Sequence, residues 1–334
     1  MSEVSDATPQ QQVADMIEDG KAQQATVAVR EPRVRRLNII GRRNWFFLLS
    51  LVIIIPGIVS MWHNHFLLGI DFAGGTEFTV TFADKPDLAT VERAVAAENA
   101  NGSVIQTANG GYIIRYPPLG AAQQTNIQTD LQNRLGAMNV QQILEVGGTI
   151  AGETIFYSIL AVVIASIAIL ALLAIRFRNV PGGWRAGFQF GGSALAALLH
   201  DVFVLTGVFS ILGTVFNSRL GQIDAFFVTA VLTVVGFSVH DTIVVFDRIR
   251  ENLRVSQRLS FEQVVNLSIM QTAARSIITS FTVVLVLAAI FIAGGATLQG
   301  LALALLIGII SGTYSSIFNA APLLVVWRRL QPLR

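Results

Sequence analysis

Apolar residues along this chain gather into long runs, separated by arginine-rich segments and by one extended polar stretch. A helix needs about 20 residues to cross the hydrocarbon core of a bilayer. By that measure residues 45–62, 154–175, 188–212, 224–246, 266–292 and 301–327 predict six spanning helices, one early and five clustered. Residues 63–153, between the first two runs, change to shorter periods. Phe78, Val80 and Phe82 alternate with Thr79 and Thr81, the mark of a half-buried strand. Leu88, Val91 and Val95 follow at helical spacing. Val104 and Ile105, the turn signal Asn109-Gly110-Gly111 and residues 112–116 predict a hairpin. Ile127, Leu131 and Leu135 predict a second helix, and residues 142–146 a last strand. The order is βαββαβ, that of a ferredoxin-like α+β unit.

Basic residues set the expected orientation, because cytoplasmic segments near span ends keep an excess of Lys and Arg. Seventeen lie before the first run, after the second, after the fourth and at the C-terminus, among them Arg33, Arg42, Arg176, Arg185, Arg248, Arg254 and Arg328. The other side has five, Lys85, Arg93, Arg115, Arg134 and Arg219, against nine acids between Asp71 and Glu153. Both termini are therefore expected in the cytoplasm, with the large loop outside. The predicted class is a polytopic α-helical membrane protein with six transmembrane helices and an extracytoplasmic ferredoxin-like domain between helices 1 and 2. Its expected parts are a cytoplasmic tail at 1–44, a first helix at 45–62, the outer domain at 63–153, a five-helix domain at 154–327 and a cytoplasmic end at 328–334. The first helix reads as an uncleaved anchor, since no small-residue cleavage pattern follows it. The tail up to about Val29 lacks core periodicity and is expected to be largely disordered, with at most a short helix around Val13 and Ile17.

Composition narrows the chemistry. Of 334 residues 53% are apolar and 13% charged, with a mean hydropathy of +0.60, which excludes an ordinary soluble enzyme. Cysteine is absent, so disulfides, thiolate nucleophiles and cysteine-held metals are excluded. No nucleotide loop, metal set or cofactor motif is found, and nothing points to nucleic acid. His63 and His65 sit at the membrane edge, and two histidines alone make a poor metal site. Any work must draw on an ion gradient or on a partner.

Ionisable groups within a span are costly and mark pathways or packed polar interiors. In the fourth run Asp241 lies about 9 Å from the cytoplasmic end, with Ser238 three residues earlier on its face and His240 beside it. Burial disfavours a charged carboxyl, so Asp241 is a candidate to load and release a proton. Arg275 lies about 13 Å into the fifth run, on a stripe with Thr272, Thr279 and Thr282. The expectation is an Asp241–Arg275 pair between antiparallel helices, either a relay or a static salt bridge. His200 and Asp201, about 18 Å into the third run, are further candidates, with packing as their alternative. Ser260 and Gln263 are spaced as a capping box ahead of the fifth run, and Asp224 suits a helix cap. Gly308, Gly312 and Ser316 belong to a small-residue ridge in the sixth run that allows close helix approach.

Several of these segments resemble one family. Gly69-Ile70-Asp71-Phe72-Ala73-Gly74-Gly75-Thr76, Val146-Gly147-Gly148, Leu199-His200-Asp201-Val202, the run Gly236-Phe237-Ser238-Val239-His240-Asp241-Thr242 through Phe246-Asp247-Arg248, and Arg275-Ser276-Ile277-Ile278-Thr279-Ser280 are similar to the SecF family of bacterial protein-export subunits. The likeness runs from about Arg42 to the end. It implies six spans of resistance-nodulation-division topology in the inner membrane, pairing with SecD, assistance to the SecYEG channel and indirectly to SecA, and use of a proton or sodium gradient on a translocating polypeptide. Asp241 and Arg275 then match the positions of ion coupling, and Gly69, Asp71, Gly74 and Gly75 the outer-loop motif. His240 departs from the family's usual Asn. A small-molecule or lipid transporter of that superfamily and a purely structural membrane subunit remain the alternatives.

Overall fold

The computed structural model describes residues 37–98, 102–107, 110–180, 182–255 and 258–332. The chain divides into Met1–Leu37 and Asn38–Arg334. The expected disordered tail and its short helix, like Asn109 of the predicted turn, lie outside the described residues.

Six helices long and apolar enough to span a membrane are present among the described residues. Span one is α1 (Arg43–His63). The outer segment then runs through a short α2 (Ile70–Ala73), β1 (Gly75–Phe82), α3 (Leu88–Ala96), β2 (Ser103–Gln106), β3 (Tyr112–Tyr116), α4 (Ala121–Leu135) and β4 (Met138–Val146). Spans two to five are α5 (Gly148–Phe177), α6 (Gly183–Ser210), α7 (Ala225–Val255) and α8 (Phe261–Ala293). Span six comprises α9 (Ala296–Ser315), a π-helical turn at Ser316–Ala320 and α10 (Ala321–Leu330). Most helices reach past the apolar runs that announce them. Span two begins at Gly148 rather than 154, and span four continues to Val255, because hydropathy marks the hydrocarbon slab while backbone hydrogen bonding carries the helix beyond it.

The outer sheet has the order β2-β3-β1-β4, antiparallel throughout, which is the ferredoxin-like arrangement. Phe78, Val80 and Phe82 turn one face of β1 into a core with Val91 and Val95 of α3 and Ile127 and Leu131 of α4. Gly74 and Gly75 enter β1 with φ of 69° and 118°, and a Cβ on Gly75 would run into the carbonyl of Tyr116. Only glycine fits such a turn.

In the membrane half, spans three, four and six are the most buried. Stacked Phe177 and Phe190, with ring centroids 4.8 Å apart, meet Phe246 edge-on and knit spans two, three and four together. Spans one and three cross at two glycines, where a Cβ on Gly57 would lie 2.8 Å from the Gly207 Cα. Below the hydrocarbon, Ser260 and Gln263 close a reciprocal capping box at the start of span five.

Candidate functional site

Two carboxyls are buried between the spans. Asp201 of span three is 1% exposed and has both oxygens occupied. Its Oδ1 accepts from Ser311 Oγ at 2.7 Å and lies 3.1 Å from His200 Nδ1. Its Oδ2 accepts from Ser238 Oγ at 2.7 Å and Ser315 Oγ at 2.6 Å. One carboxylate thus joins spans three, four and six. The approach is possible because span six offers small residues: a Cβ on Gly312 would sit 3.1 Å from the Ser238 Cβ, and one on Gly308 would collide with Val234. Ser316 Oγ lies 2.9 Å from Thr242 Oγ1 and also donates to the Ser238 carbonyl at 3.2 Å. The π turn that begins at Ser316 changes the helical phase just after Ser315; such turns are frequent at functional sites.

Asp241 of span four is 7% exposed and differently served. Its Oδ1 accepts from Ser276 Oγ of span five at 2.5 Å. Its Oδ2 is buried and has no hydrogen-bond partner among the described residues.

Among the described residues Arg275 and Asp241 make no direct ion pair, although the guanidinium lies near enough to act on the carboxyl through space. Successive helical positions differ by about 100° around the axis. Ser276 faces inward to Asp241, so Arg275 turns to the outer surface of the subunit, where it is exposed. Thr279 and Thr282 are exposed with it, and only Thr272 of that stripe is buried. The buried hydroxyl stripe of span five is instead Ser268, Thr272, Ser276 and Ser280, in steps of four. Ser238 likewise serves Asp201 rather than Asp241. His240 is exposed on the outer face of span four. His200 is nearly buried, with no partner for its Nε2 among the described residues and its ring 6.1 Å from that of Tyr314.

Sequence reasoning missed Ser276 as the partner of Asp241, and Ser311 and Ser315 as partners of Asp201. The signal was available: both serine sets repeat at intervals of four, one face of a helix. At the outer end of the bundle Asp224 caps its own helix, its Oδ1 accepting from Phe227 N at 2.9 Å, and Asp71 Oδ2 accepts from Ala225 N at 3.0 Å.

A family model described as the protein export membrane protein SecD/SecF, C-terminal, matches residues 126–330, and one for the SecD/SecF GG motif matches residues 59–85. The chain is 43% identical to the protein translocase subunit SecF of Thermobaculum terrenum over 89% of its own length and 96% of the relative's. It is 41% identical to the SecF of Anaerolinea thermophila, over 87% of its own length and 94% of the relative's. Among solved structures it is similar to SecDF, a translocon-associated membrane protein from Thermus thermophilus, with a TM-score of 0.78 and 30% identity. A SecDF structure in a super-membrane-facing form gives a TM-score of 0.62 at 28% identity. These matches cover 88% and 89% of this chain and 39% of each longer SecDF chain.

Proposed function

With the chain belonging to the SecF family of protein translocase subunits, we propose that it feeds the proton gradient into polypeptide export through Asp241. It is an accessory subunit of Sec-dependent export and acts in the translocase complex with SecD. In our reading it lies in the bacterial inner membrane with both termini cytoplasmic, in keeping with the arginine asymmetry of its loops. The observation that carries the proposal is the half-served carboxyl of Asp241. One oxygen is held by Ser276, and the other is buried without a donor. A proton arriving on that oxygen removes a poorly solvated charge from the membrane interior, and its departure restores it.

Arg275 supplies the balancing charge. A guanidinium exposed at membrane depth is costly against lipid, so the face carrying Arg275, Thr279 and His240 is the one that SecD covers. His240 tunes the neighbourhood of Asp241 from that face. His200 and Asp201 hold the frame against which the acid works. Each charge crossing 100 mV supplies about 2.3 kcal/mol, enough to bias a helix shift. That shift moves the outer domain against polypeptide leaving SecYEG, while SecA contributes indirectly from the cytoplasmic side.

Gradient-dependent export in membrane vesicles containing SecD, SecYEG and SecA tests this reading, with subunit amounts matched. Asp241→Asn and Arg275→Met are each expected to lower the gradient-stimulated rate about tenfold or more. Full export by Asp241→Asn would overturn the proton role.

A further inference from the structure

The strand of chain that leaves span one is fastened to the outer ends of spans three and four. The His65 carbonyl accepts from Ser210 Oγ at 2.7 Å. Ile223 N donates to the Leu67 carbonyl at 2.8 Å, and Gly69 N donates to the Ile223 carbonyl at 2.7 Å, making a parallel bridge. Asp71 Oδ2 then takes the amide of Ala225, the first residue of span four. Packing there is equally close. A Cβ on Gly69 would lie 2.6 Å from Gln222 Nε2 and 2.7 Å from the Asp224 Cβ, and one on Gly213, at the end of span three, 2.8 Å from the Leu67 Cβ.

The same segment is tied to the outer sheet. Arg115 of β3 donates to the Leu68 carbonyl at 2.9 Å and pairs with Glu77 of β1 at 2.6 Å. A continuous set of bonds therefore runs from β1 and β3 through Arg115 to Leu68, across to Ile223 and Ala225, and along span four. From Ala225 to Ser238 that helix is about 20 Å of rigid strut, and Asp241 follows one turn later.

We propose that residues 67–71 are the transmission between the membrane acids and the outer domain, with Asp71 the positioning residue that makes the sheet follow the outer end of span four. The inference rests on Asp241 being the driven group. Asp71 is not needed to start the helix, because Asp224 already caps it through Phe227 N. What Asp71 adds is a charge-assisted bond between two segments distant in sequence.

The test uses the full chain with SecD and SecYEG in vesicles. It measures gradient-driven proton flux and export together, in Asp71→Ala, in Asp71→Asn, whose amide oxygen can still accept from Ala225 N, and in Asp241→Asn. Asp71→Ala is expected to keep parental proton flux while gradient-stimulated export falls about fivefold or more. Asp71→Asn is expected to recover most of it. Since the chain has no cysteine, a disulfide between Leu68→Cys and Ile223→Cys can replace the lost tie, and its oxidation is expected to restore export in Asp71→Ala. Parental export in Asp71→Ala, joint loss of flux and export, or failure of the oxidised staple to rescue would each overturn the proposal. Asp241→Asn reports separately on the driving group, since full export there sinks the proton reading whatever Asp71 does.

Discussion

Asp201 and Asp241 sit on successive spans, both nearly sealed from solvent, and their surroundings differ in one respect. Around Asp201, serines from spans four and six and the adjacent His200 fill both oxygens. Around Asp241, one serine fills one oxygen. In a low-dielectric interior every unmet polar atom is expensive, so a fully served carboxylate resists change and a half-served one gains by taking a proton. Equal burial thus leaves the two carboxyls with unequal numbers of donors, and under the proposed function that inequality separates a driven acid from a structural one.

Removing the served acid should do the greatest damage. Asp201→Ala strands the hydroxyls of Ser238 and Ser311, leaves Ser315 only its bond to the Gly312 carbonyl, and is expected to cost about 3 kcal/mol, read as lost thermal stability of the detergent-solubilised complex. Asp241→Asn in the same assay is expected to cost less than about 1 kcal/mol. Equal losses would erase the distinction between the two sites. A steric wedge probes the same contrast next. Gly308→Leu drives a side chain into Val234, forcing span six away from span four at a cost of about 1–3 kcal/mol. The Ser276 bond to Asp241 is made by span five and should survive this, so a lowered melting temperature is the expected result.

Single hydroxyls give the finer comparison. Ser276→Ala takes away the one hydroxyl that Asp241 holds and is expected to lower gradient-driven export about threefold, the scale of one interhelical hydrogen bond. Ser311→Ala should leave export unchanged, because Asp201 keeps Ser238 and Ser315. The reverse ranking in vesicle export would break the assignment.

The smallest effect lies outside the membrane. Burial, and then the charge of Asp130, hold the Glu98 carboxyl above its ordinary range, with Arg134 only partly offsetting them. The folded domain therefore binds that proton more tightly than the unfolded chain does. Its contribution to stability is present below the ordinary glutamate value of 4.5 and is lost as pH rises from there through the higher folded value. Glu98→Gln should flatten this slope, seen as a melting temperature that changes less with pH. An unaltered slope would refute it.

Much of the architecture was legible because hydrocarbon imposes a strict rule. Only a helix satisfies its own backbone there, so apolar runs report spans almost directly. The ferredoxin-like order was readable for a similar reason, since period two and period 3.6 alternate cleanly through Phe78, Val91, Ile114 and Leu131. Helix ends were less so: the capping glycine at 147 and the long polar end of span four carry little hydropathic signal. Asp241, Arg275, His200 and Asp201 could be singled out because charge is rare within a span.

Which of them meet could not be read in one dimension. Depth along two helices can be matched from sequence, but rotation about each axis is set by packing. In this protein the rotation puts Ser276 rather than Arg275 against Asp241 and gives Ser238 to Asp201. Local periodicity and the cost of charge in oil were enough to define the spans, the outer unit and the residues worth watching. The pairing of Asp201 and Asp241 with their serines and of Asp71 with Ala225 came only with packing, because it depends on how glycine and serine surfaces let separate helices turn and close upon one another.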